Sequence, residues 1–140
     1  MTVLDLRRGF IDSNIWLYAL LIGQNEEKTR IAKNLTLIEF NIVSIQVINE
    51  VCVNLIKKDK YNEGQIKKLV SSFYANHLVV EINREILLHA SDLRARYAFS
   101  FWDGLIAASA LSADAKVLYS EDMQDGLVIE KRLKVVNPFI

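Results

Sequence analysis

The hydrophobic and polar positions of this chain follow two alternating periods, which predict strands separated by helices. Short apolar runs predict five strands, at residues 9–12, 42–43, 78–82, 116–119 and 133–136. Between them, apolar residues recur every three or four positions and predict helices at residues 15–21, 26–37, 45–58, 63–76, 84–97 and 102–111. Strands that alternate with helices favour a parallel sheet covered on both faces, so the chain is expected to have an α/β fold.

Two of the predicted helices carry features that bear on function. In the helix at residues 45–58, the apolar residues share one face, while Gln46 and Glu50 lie on another. The segment at residues 102–111 is almost wholly apolar and is expected to be a buried helix. Four aromatic residues at or just ahead of it could stack on bases, but their position favours packing in the core: Tyr97, Phe99, Phe101 and Trp102.

Composition indicates one globular domain over residues 1–140, with 51% hydrophobic and 24% charged residues. The formal net charge is zero, from 17 basic and 17 acidic residues, so bulk charge does not indicate a nucleic-acid partner. Such a partner would need a local basic patch. The candidates for it, each of which taken singly is more simply a solvated surface charge, are Lys57, Lys58, Lys60, Arg94 and Arg96.

Cysteine usage and hydropathy bear on the location of the protein. The lone cysteine, Cys52, excludes an internal disulfide and fits a reducing compartment, and its apolar neighbours favour a buried position. The longest apolar stretch, at residues 15–23, is shorter than the ~20 residues that span a bilayer. We therefore expect a cytoplasmic protein that does not interact with a membrane.

Four acidic residues lie at the ends of predicted elements: Asp12, Glu50, Asp103 and Asp122. Asp12 ends the first strand, Asp103 opens the apolar helix, and Asp122 follows the fourth strand. Parallel α/β folds place their working groups at such transitions from strand to helix. Carboxylates that are brought together repel one another unless a divalent cation neutralises them. The pattern is typical of a metal-dependent hydrolase.

Each of these acids also has a structural interpretation. Asp12 could cap the following helix, although Ser13 and Asn14 could serve as caps without it. Asp103 stands three residues after Ser100, which resembles a capping box. Glu50 alone could be a solvated residue on a helix surface. Asp122 belongs to an acidic cluster with Glu121 and Asp125, and spacing does not decide which of the three points inward.

The sequence words around the four acids resemble the motifs of the PIN-domain nucleases, especially the toxin subunits of VapBC toxin–antitoxin pairs. The similar words, in family order, are FIDSN with Asp12, SIQVINE with Glu50, FSFWDGLIAASAL with Asp103 and LYSEDMQDG with Asp122. The terminal VVNPF is also similar to the usual family ending. The resemblance extends over residues 9–138, which is nearly the whole chain.

The resemblance implies a three-layer α/β/α sandwich with a central, mainly parallel sheet, and Mg²⁺ or Mn²⁺ as the cofactor. It implies an endoribonuclease that hydrolyses RNA, with Asp12 and Asp103 as principal metal ligands. Glu50 and Asp122 are expected to bind directly, through water or at a second ion. Ser13, Asn14 and Ser120 are expected to orient carboxylates or waters. A cognate antitoxin, with a basic residue that approaches the acids, and a homodimer are further expectations from the family.

Two other functions remain open at this stage. A PIN-like module could hold RNA or a protein partner without cutting, although such a module has no physical need for four clustered carboxylates. A phosphatase or another small-molecule hydrolase could use a similar fold and metal site. The histidines His77 and His89 lie outside every motif, so neither is expected to belong to the site.

Overall fold

The computed structural model of the chain describes residues 9–21, 23, 25–37 and 40–140. Within these ranges, the strands are β1 (Gly9–Ile11), β2 (Ile42–Ser44), β3 (Leu78–Val80), β4 (Val117–Tyr119), β5 (Val128–Ile129) and β6 (Leu133–Val136). The helices are α1 (Ser13–Leu20), α2 (Glu26–Thr36), α3 (Ile45–Asp59), α4 (Glu63–Asn76), α5 (Arg84–Tyr97) and α6 (Phe101–Ser112). The predicted domain begins at residue 1, and residues 1–8 lie outside the described part.

The strands form one sheet in the order β3-β2-β1-β4-β6-β5, with every neighbouring pair parallel except β5 and β6. Phe10 in β1 pairs with Ile42 on one side and with Leu118 on the other. Strand β1 is therefore an inner strand, and its end lies between the ends of β2 and β4. Helices cover the sheet in a three-layer α/β/α arrangement, as predicted.

Strand β5 is the element that the hydrophobic pattern did not predict. It has only two residues and pairs with β6 through a tight turn at Glu130 and Lys131. Both turn residues have positive φ angles, 51° and 58°, and the amide of Arg132 donates to the carbonyl of Ile129 at 3.0 Å. Hairpins of this kind usually carry Asn-Gly or Asp-Gly. Glu-Lys gives no such signal, so the hairpin was missed.

The core lies on both faces of the sheet, where the side chains of Phe10, Ile11, Val43, Leu118 and Val135 are buried. Helix α6 is buried from Gly104 to Leu111, which confirms the predicted buried helix. A methyl group at Gly104 would meet the side chain of Arg94 at 2.6 Å and the carbonyl of Ala90 at 3.1 Å. This glycine therefore allows α5 and α6 to approach each other closely.

The first turn of α6 differs from the prediction. Phe101 and Trp102 are 56% and 60% exposed, so the expectation that they pack in the core is wrong. They precede the buried part of the helix, directly after its cap at Ser100. Tyr97 and Phe99 are half-buried, and their rings stack on each other with centroids 5.4 Å apart.

The start of α1 also differs from the prediction. Ser13 and Asn14 are the first two residues of the helix, and the cap is Asp12, whose carboxylate accepts from the Ser13 amide at 2.7 Å. Strand β1 accordingly ends at Ile11. Ser44 caps α3, and its side chain accepts from the Val47 amide at 3.3 Å. Among the described residues, no helix is long and apolar enough to cross a membrane.

Candidate functional site

The four acids gather at one edge of the sheet. Asp12 follows β1, and Glu50 lies in α3, which starts directly after β2. Asp122 follows β4, the other neighbour of β1. Because β1, β2 and β4 are parallel, their carboxyl ends meet at the same edge. Asp103 reaches this edge from the first turn of α6, a helix that packs against β2.

Asp12 is the most buried of the four, with 7% of its surface exposed. One carboxylate oxygen accepts from the Ser13 amide at 2.7 Å, and the other accepts from the Ser120 hydroxyl at 2.9 Å. Ser120 is itself fully buried and its hydroxyl accepts from the Met123 amide at 3.3 Å. Asp12 is thus both the helix cap and a site residue, and its orientation is fixed from two sides.

Glu50 is half-buried and is held by two neutral donors. The Ser13 hydroxyl donates to one carboxylate oxygen at 3.1 Å, and the Gln46 amide nitrogen donates to the other at 2.8 Å. Ser13 therefore links the two acids: its backbone amide donates to Asp12 and its side chain donates to Glu50. This pair of bonds brings α3 and the start of α1 together at the acidic edge.

Asp103 lies in the first turn of α6 and is half-buried. Its backbone amide donates to the Ser100 hydroxyl at 3.1 Å, which is the capping contact that the sequence suggested. A carboxylate in the first turn is also stabilised by the helix dipole. The cap and the site position are compatible, because the backbone makes the capping bond while the carboxyl group interacts electrostatically with the other acids.

The structure distinguishes the three acids that follow β4. The Asn14 side-chain amide donates to Asp122 at 2.6 Å, which ties Asp122 to the acidic edge. Glu121 instead pairs with Lys28 and accepts from the Tyr18 hydroxyl at 3.0 Å. Asp125 accepts from the backbone amide of Asn137 at 2.8 Å. Asp122 is therefore the member of this cluster that joins the other candidates.

Electrostatics agree with the convergence of the four acids. Burial raises the pKa of Asp12 from 3.8 to about 6, with hydrogen bonds from Ser13 and Ser120 lowering it and the charges of Glu50 and Asp103 raising it further. Burial likewise raises the pKa of Asp103, and the charges of Asp122 and Glu50 add to that rise. These mutual effects require the acids to be close in space.

The donor set fits a hard divalent cation. All four side chains offer carboxylate oxygens, the ligands that Mg²⁺ and Mn²⁺ prefer. In the described part of the chain, none of the ion pairs includes Asp12, Glu50, Asp103 or Asp122. No basic side chain of the described residues therefore forms an ion pair with these four acids, and a cation would offset their negative charge.

The acids do not form a finished coordination sphere. Within the described ranges, no three His, Cys, Asp or Glu side chains are placed so that they could hold a metal ion as they stand. The neutral donors keep the carboxylates in place, and each carboxylate oxygen has a further lone pair for a ligand. Coordination of an ion by these acids would therefore require their side chains to move closer together.

Arg96 and the two histidines have partners other than the four acids. Arg96 and His89 both contact Glu130, on the β5–β6 turn. His77 packs against Trp16, and burial lowers its pKa. The contacts described for both histidines are thus with residues other than the four acids.

Two of the predicted basic residues have neighbours that bear on the site. Lys58 lines a depression next to Asn14 and Glu121. Arg94 lies over the Phe101 ring, 4.3 Å from its centroid. Lys58 is thus next to Asn14, which donates to Asp122, and Arg94 is next to Phe101, which precedes Asp103 by two residues.

Sequence reasoning gave no site role to Gln46 and assigned Trp102 to the core. Gln46 precedes Glu50 by one helical turn and donates to it, and the spacing of four residues on a polar helix face was the signal for this contact. Trp102 is exposed beside Asp103. No signal in the sequence separates an exposed aromatic residue in a first turn from a buried one.

Comparison with known proteins identifies the family. The sequence profile of the PIN domain matches residues 9–124, so the chain belongs to the PIN-domain family. The match includes all four acids. No curated protein matches the chain significantly.

Three solved structures have a similar fold. A toxin–antitoxin complex from Klebsiella pneumoniae has a TM-score of 0.68 and 23% identity, over 93% of this chain and 97% of that chain. VapC20 of Mycobacterium tuberculosis, described as a toxin that cleaves the sarcin-ricin loop, has a TM-score of 0.65 and 17% identity, over 81% and 89%. FitAB bound to the IR36 DNA fragment has a TM-score of 0.67 and 17% identity, over 94% and 96%.

Proposed function

We propose that this protein is a metal-dependent endoribonuclease that hydrolyses RNA phosphodiester bonds at Asp12, Glu50, Asp103 and Asp122. The observation that carries the proposal is a cluster of four carboxylates at the carboxyl edge of a parallel sheet, three of which, Asp12, Glu50 and Asp122, accept hydrogen bonds from neutral donors. Membership in the PIN-domain family supports it. A site with this much uncompensated negative charge is suited to a cation and, through the cation, to phosphate.

The side chains divide into ligands and residues that position them. Asp12 and Asp103 are proposed as the principal ligands of Mg²⁺ or Mn²⁺, with Glu50 and Asp122 binding directly, through water or at a second ion. A divalent ion held here would supply positive charge that offsets the charge developing on phosphate and favours deprotonation of the attacking water. Ser13, Ser120 and Asn14 would orient the acids through their hydrogen bonds.

Protonation of Asp12 limits the conditions for activity. Its raised pKa, about 6, means that the metal-free protein holds this carboxyl group partly protonated in weakly acidic solution. Metal binding must displace that proton, so affinity for the ion should rise with pH through this range. The hydrogen bonds from Ser13 and Ser120 favour the charged form and prepare Asp12 for the ion.

We further propose that the protein is the toxin of a toxin–antitoxin pair, of the VapC type. Support comes from the similar folds of the toxin–antitoxin complex and of VapC20. A cognate antitoxin would inhibit it by placing a basic side chain against the acids, where Asp12, Glu50 and Asp103 offer complementary charge. A homodimer and a cytoplasmic location complete this proposal.

Cleavage of a mixed RNA pool by pure protein tests the proposal, with Mg²⁺ or Mn²⁺ present or removed by EDTA. We expect cleavage that needs the metal and is lost in Asp103→Asn. The matched control is Asp114→Asn, because Asp114 is exposed and pairs with Arg132, away from the site. If Asp103→Asn cut RNA at the wild-type rate, the proposed site would be wrong.

The same assay separates the competing functions. A small-molecule phosphatase would hydrolyse simple phosphate esters, whereas a ribonuclease would act on RNA and leave the esters intact. A folded protein that binds Mn²⁺ and RNA but cuts no member of the pool would favour a PIN-like binding module. No contact in the described residues favours that module over the nuclease, since all four acids are intact.

A further inference from the structure

A groove of about 580 Å³ lies between α3 and α6, and Glu50, one of the four acids, lines it. Its walls include Gln46, Asn49, Glu50, Ile82, Trp102 and Leu105. Glu50 is a wall of the groove and also one of the four acids, so the groove and the acidic edge are continuous. A chain whose phosphate lay at the acids would therefore place a neighbouring group at the mouth of this groove.

The groove is walled on one side by a large exposed aromatic residue. Trp102 is 60% exposed, and its ring meets the Phe101 ring edge to face, with centroids 5.1 Å apart. Arg94 also contacts Phe101, since its guanidinium lies over the ring and donates to the Phe101 carbonyl at 3.2 Å. An exposed aromatic surface that is held in place in this way is typical of a binding site.

A second observation comes from Gln46, which is only 8% exposed. Its amide nitrogen donates to Glu50, while its amide oxygen is one of two buried polar side-chain atoms without a hydrogen-bond partner in the described part of the chain. Exchanging the two amide atoms would place an oxygen against the Glu50 carboxylate, so the orientation is determined. A buried acceptor without a donor is costly, and a ligand that donates to it would remove that cost.

We propose that this groove binds one unpaired base of the RNA substrate, stacked on Trp102, next to the phosphate that is cleaved. This inference depends on the proposed function for the identity of the substrate. Every base has a flat face for stacking. Every base that is not paired also presents an N–H group on its Watson–Crick edge, and the Gln46 oxygen, which has no partner among the described residues, would accept from it. A paired base offers neither its face nor that edge, so the site selects single-stranded RNA.

A protein partner or a second copy of the chain could also cover an apolar groove. Two features favour a base. The wall shared with Glu50 places the ligand beside the reacting phosphate, and an acceptor without a partner beside the exposed Trp102 ring suits a flat ligand with an N–H donor. The other occupants are distinguished by the experiment that follows.

The experiment uses adenosine, which has a base but no phosphate and so avoids repulsion by the acids. Binding is followed by the indole N–H signals of the two tryptophans in a nuclear magnetic resonance titration without metal. Trp16 is buried and donates to the Ile11 carbonyl at 3.1 Å, so its signal serves as the internal reference. We expect a saturable shift of the Trp102 signal with adenosine, none with ribose, and weaker binding in Gln46→Met.

A second measurement uses RNA with the complete protein and its metal. Trp102→Ala should raise KM for single-stranded RNA by about tenfold, the size of effect that loss of one stacked base produces. An RNA that lacks the base next to the cleaved bond should show the same rise in KM with wild-type protein. Tyr74→Ala is the matched control, because Tyr74 is an equally exposed aromatic residue on α4 and is not part of the groove.

The two measurements separate the failure of this inference from failure of the proposed function. A shift of the Trp102 signal with adenosine, together with no RNA cleavage, would support the base site and overturn the proposed nuclease function. Cleavage with unchanged KM in Trp102→Ala, together with an unmoved Trp102 signal, would overturn the base site alone and leave the groove to a protein partner. A Trp102 signal that moves with protein concentration, without ligand, would overturn it in favour of a second copy.

Discussion

Glu121 and Asp122 are neighbours in sequence, yet they belong to two different groups of acids. Glu121 pairs with Lys28, as Glu27 pairs with Arg30 and Asp114 with Arg132. Asp122 accepts from the neutral side chain of Asn14 and faces the other site acids. The first group pairs its carboxylates with basic side chains, within α2 or between elements. Among the described residues, the second group forms no ion pair, so holding its acids together costs stability, and the cation of the proposed function would offset that cost.

The largest effect on RNA cleavage should come from removing one charge from the site acids, and the same change in the paired acids should have no effect. Glu50→Gln should reduce the rate of RNA cleavage by about 10² to 10³, the loss expected when one preorganised charge at a reaction centre is removed. Initial rates on the same RNA at saturating Mn²⁺ measure this effect.

Glu27→Gln is the matched control, because it removes the same charge from an exposed pair on α2. Its cleavage rate should equal that of wild type. Equal losses in the two variants would mean that the acidic edge has no special part in the reaction.

The next effect concerns stability of the metal-free protein. Asp12 has a pKa of about 6 when folded, against an ordinary 3.8. The folded state therefore binds this proton more tightly than the unfolded state. The stabilisation that this proton on Asp12 gives the folded state is fully present below pH 3.8 and is lost as pH rises through about 6. The full loss corresponds to about 3 kcal/mol, from ~1.36 kcal/mol per pKa unit.

Urea unfolding in EDTA between pH 4 and pH 7, at roughly half-unit steps, measures this dependence. The difference between wild type and Asp12→Asn isolates the contribution of Asp12 from that of the other acids. Asp12→Asn should gain stability relative to wild type as pH rises. A constant difference across the range would show that Asp12 is not a buried charge in the folded protein.

A smaller effect should come from the hydroxyl that supports Asp12. Ser120→Ala removes the hydrogen bond at 2.9 Å and should weaken Mn²⁺ binding by roughly tenfold, as is typical for residues that orient a ligand. Ser109→Ala is the matched control, since Ser109 is equally buried and its hydroxyl has no hydrogen-bond partner among the described residues.

Ser109→Ala should leave Mn²⁺ affinity unchanged and raise the free energy of unfolding by about 1 kcal/mol, because it removes an unsatisfied polar group. Comparison of Ser120→Ala with Ser109→Ala thus separates the orientation of a metal-binding carboxylate from simple packing. If both substitutions weakened Mn²⁺ binding to the same extent, the Ser120 bond would have no specific role.

The smallest effect on Mn²⁺ affinity should distinguish Asp122 from its neighbour Glu121. Asp122→Asn should weaken Mn²⁺ binding by roughly threefold, because Asp122 is exposed and its charge is screened by solvent. Glu121→Gln should leave the affinity unchanged, since Lys28 already offsets that charge. A greater loss in Glu121→Gln than in Asp122→Asn would reverse the assignment of these two acids.

The hydrophobic pattern predicted the parts of the fold that depend on regular packing. Helices α4 and α5 have the predicted bounds, because caps at Asn62 and Asn83 agree with the apolar period that follows. Strand β5 was missed because its turn at Glu130 and Lys131 depends on backbone angles that these residues rarely adopt. Local sequence does not reveal such a turn when tertiary pairing with β6 maintains it.

For the candidate site, too, the sequence predicted some features and not others. The four acids and the supporting Ser13, Asn14 and Ser120 could be selected from motifs, and the hydrogen bonds expected of the three supporting residues are present. The motifs did not reveal that Asp12 is also the helix cap. They also did not reveal that Trp102 is exposed, because exposure depends on how α6 packs against α5, which Gly104 permits.

The most direct test of the acidic edge as a cation site is a calorimetric titration of pure protein with Mn²⁺. Wild type and Glu27→Gln should bind Mn²⁺ saturably with equal affinity, and Asp12→Asn should bind at least about a hundredfold more weakly, because a principal ligand is lost. Equal Mn²⁺ affinity in wild type and Asp12→Asn, or no binding by folded wild-type protein, would contradict a metal centre at these four carboxylates.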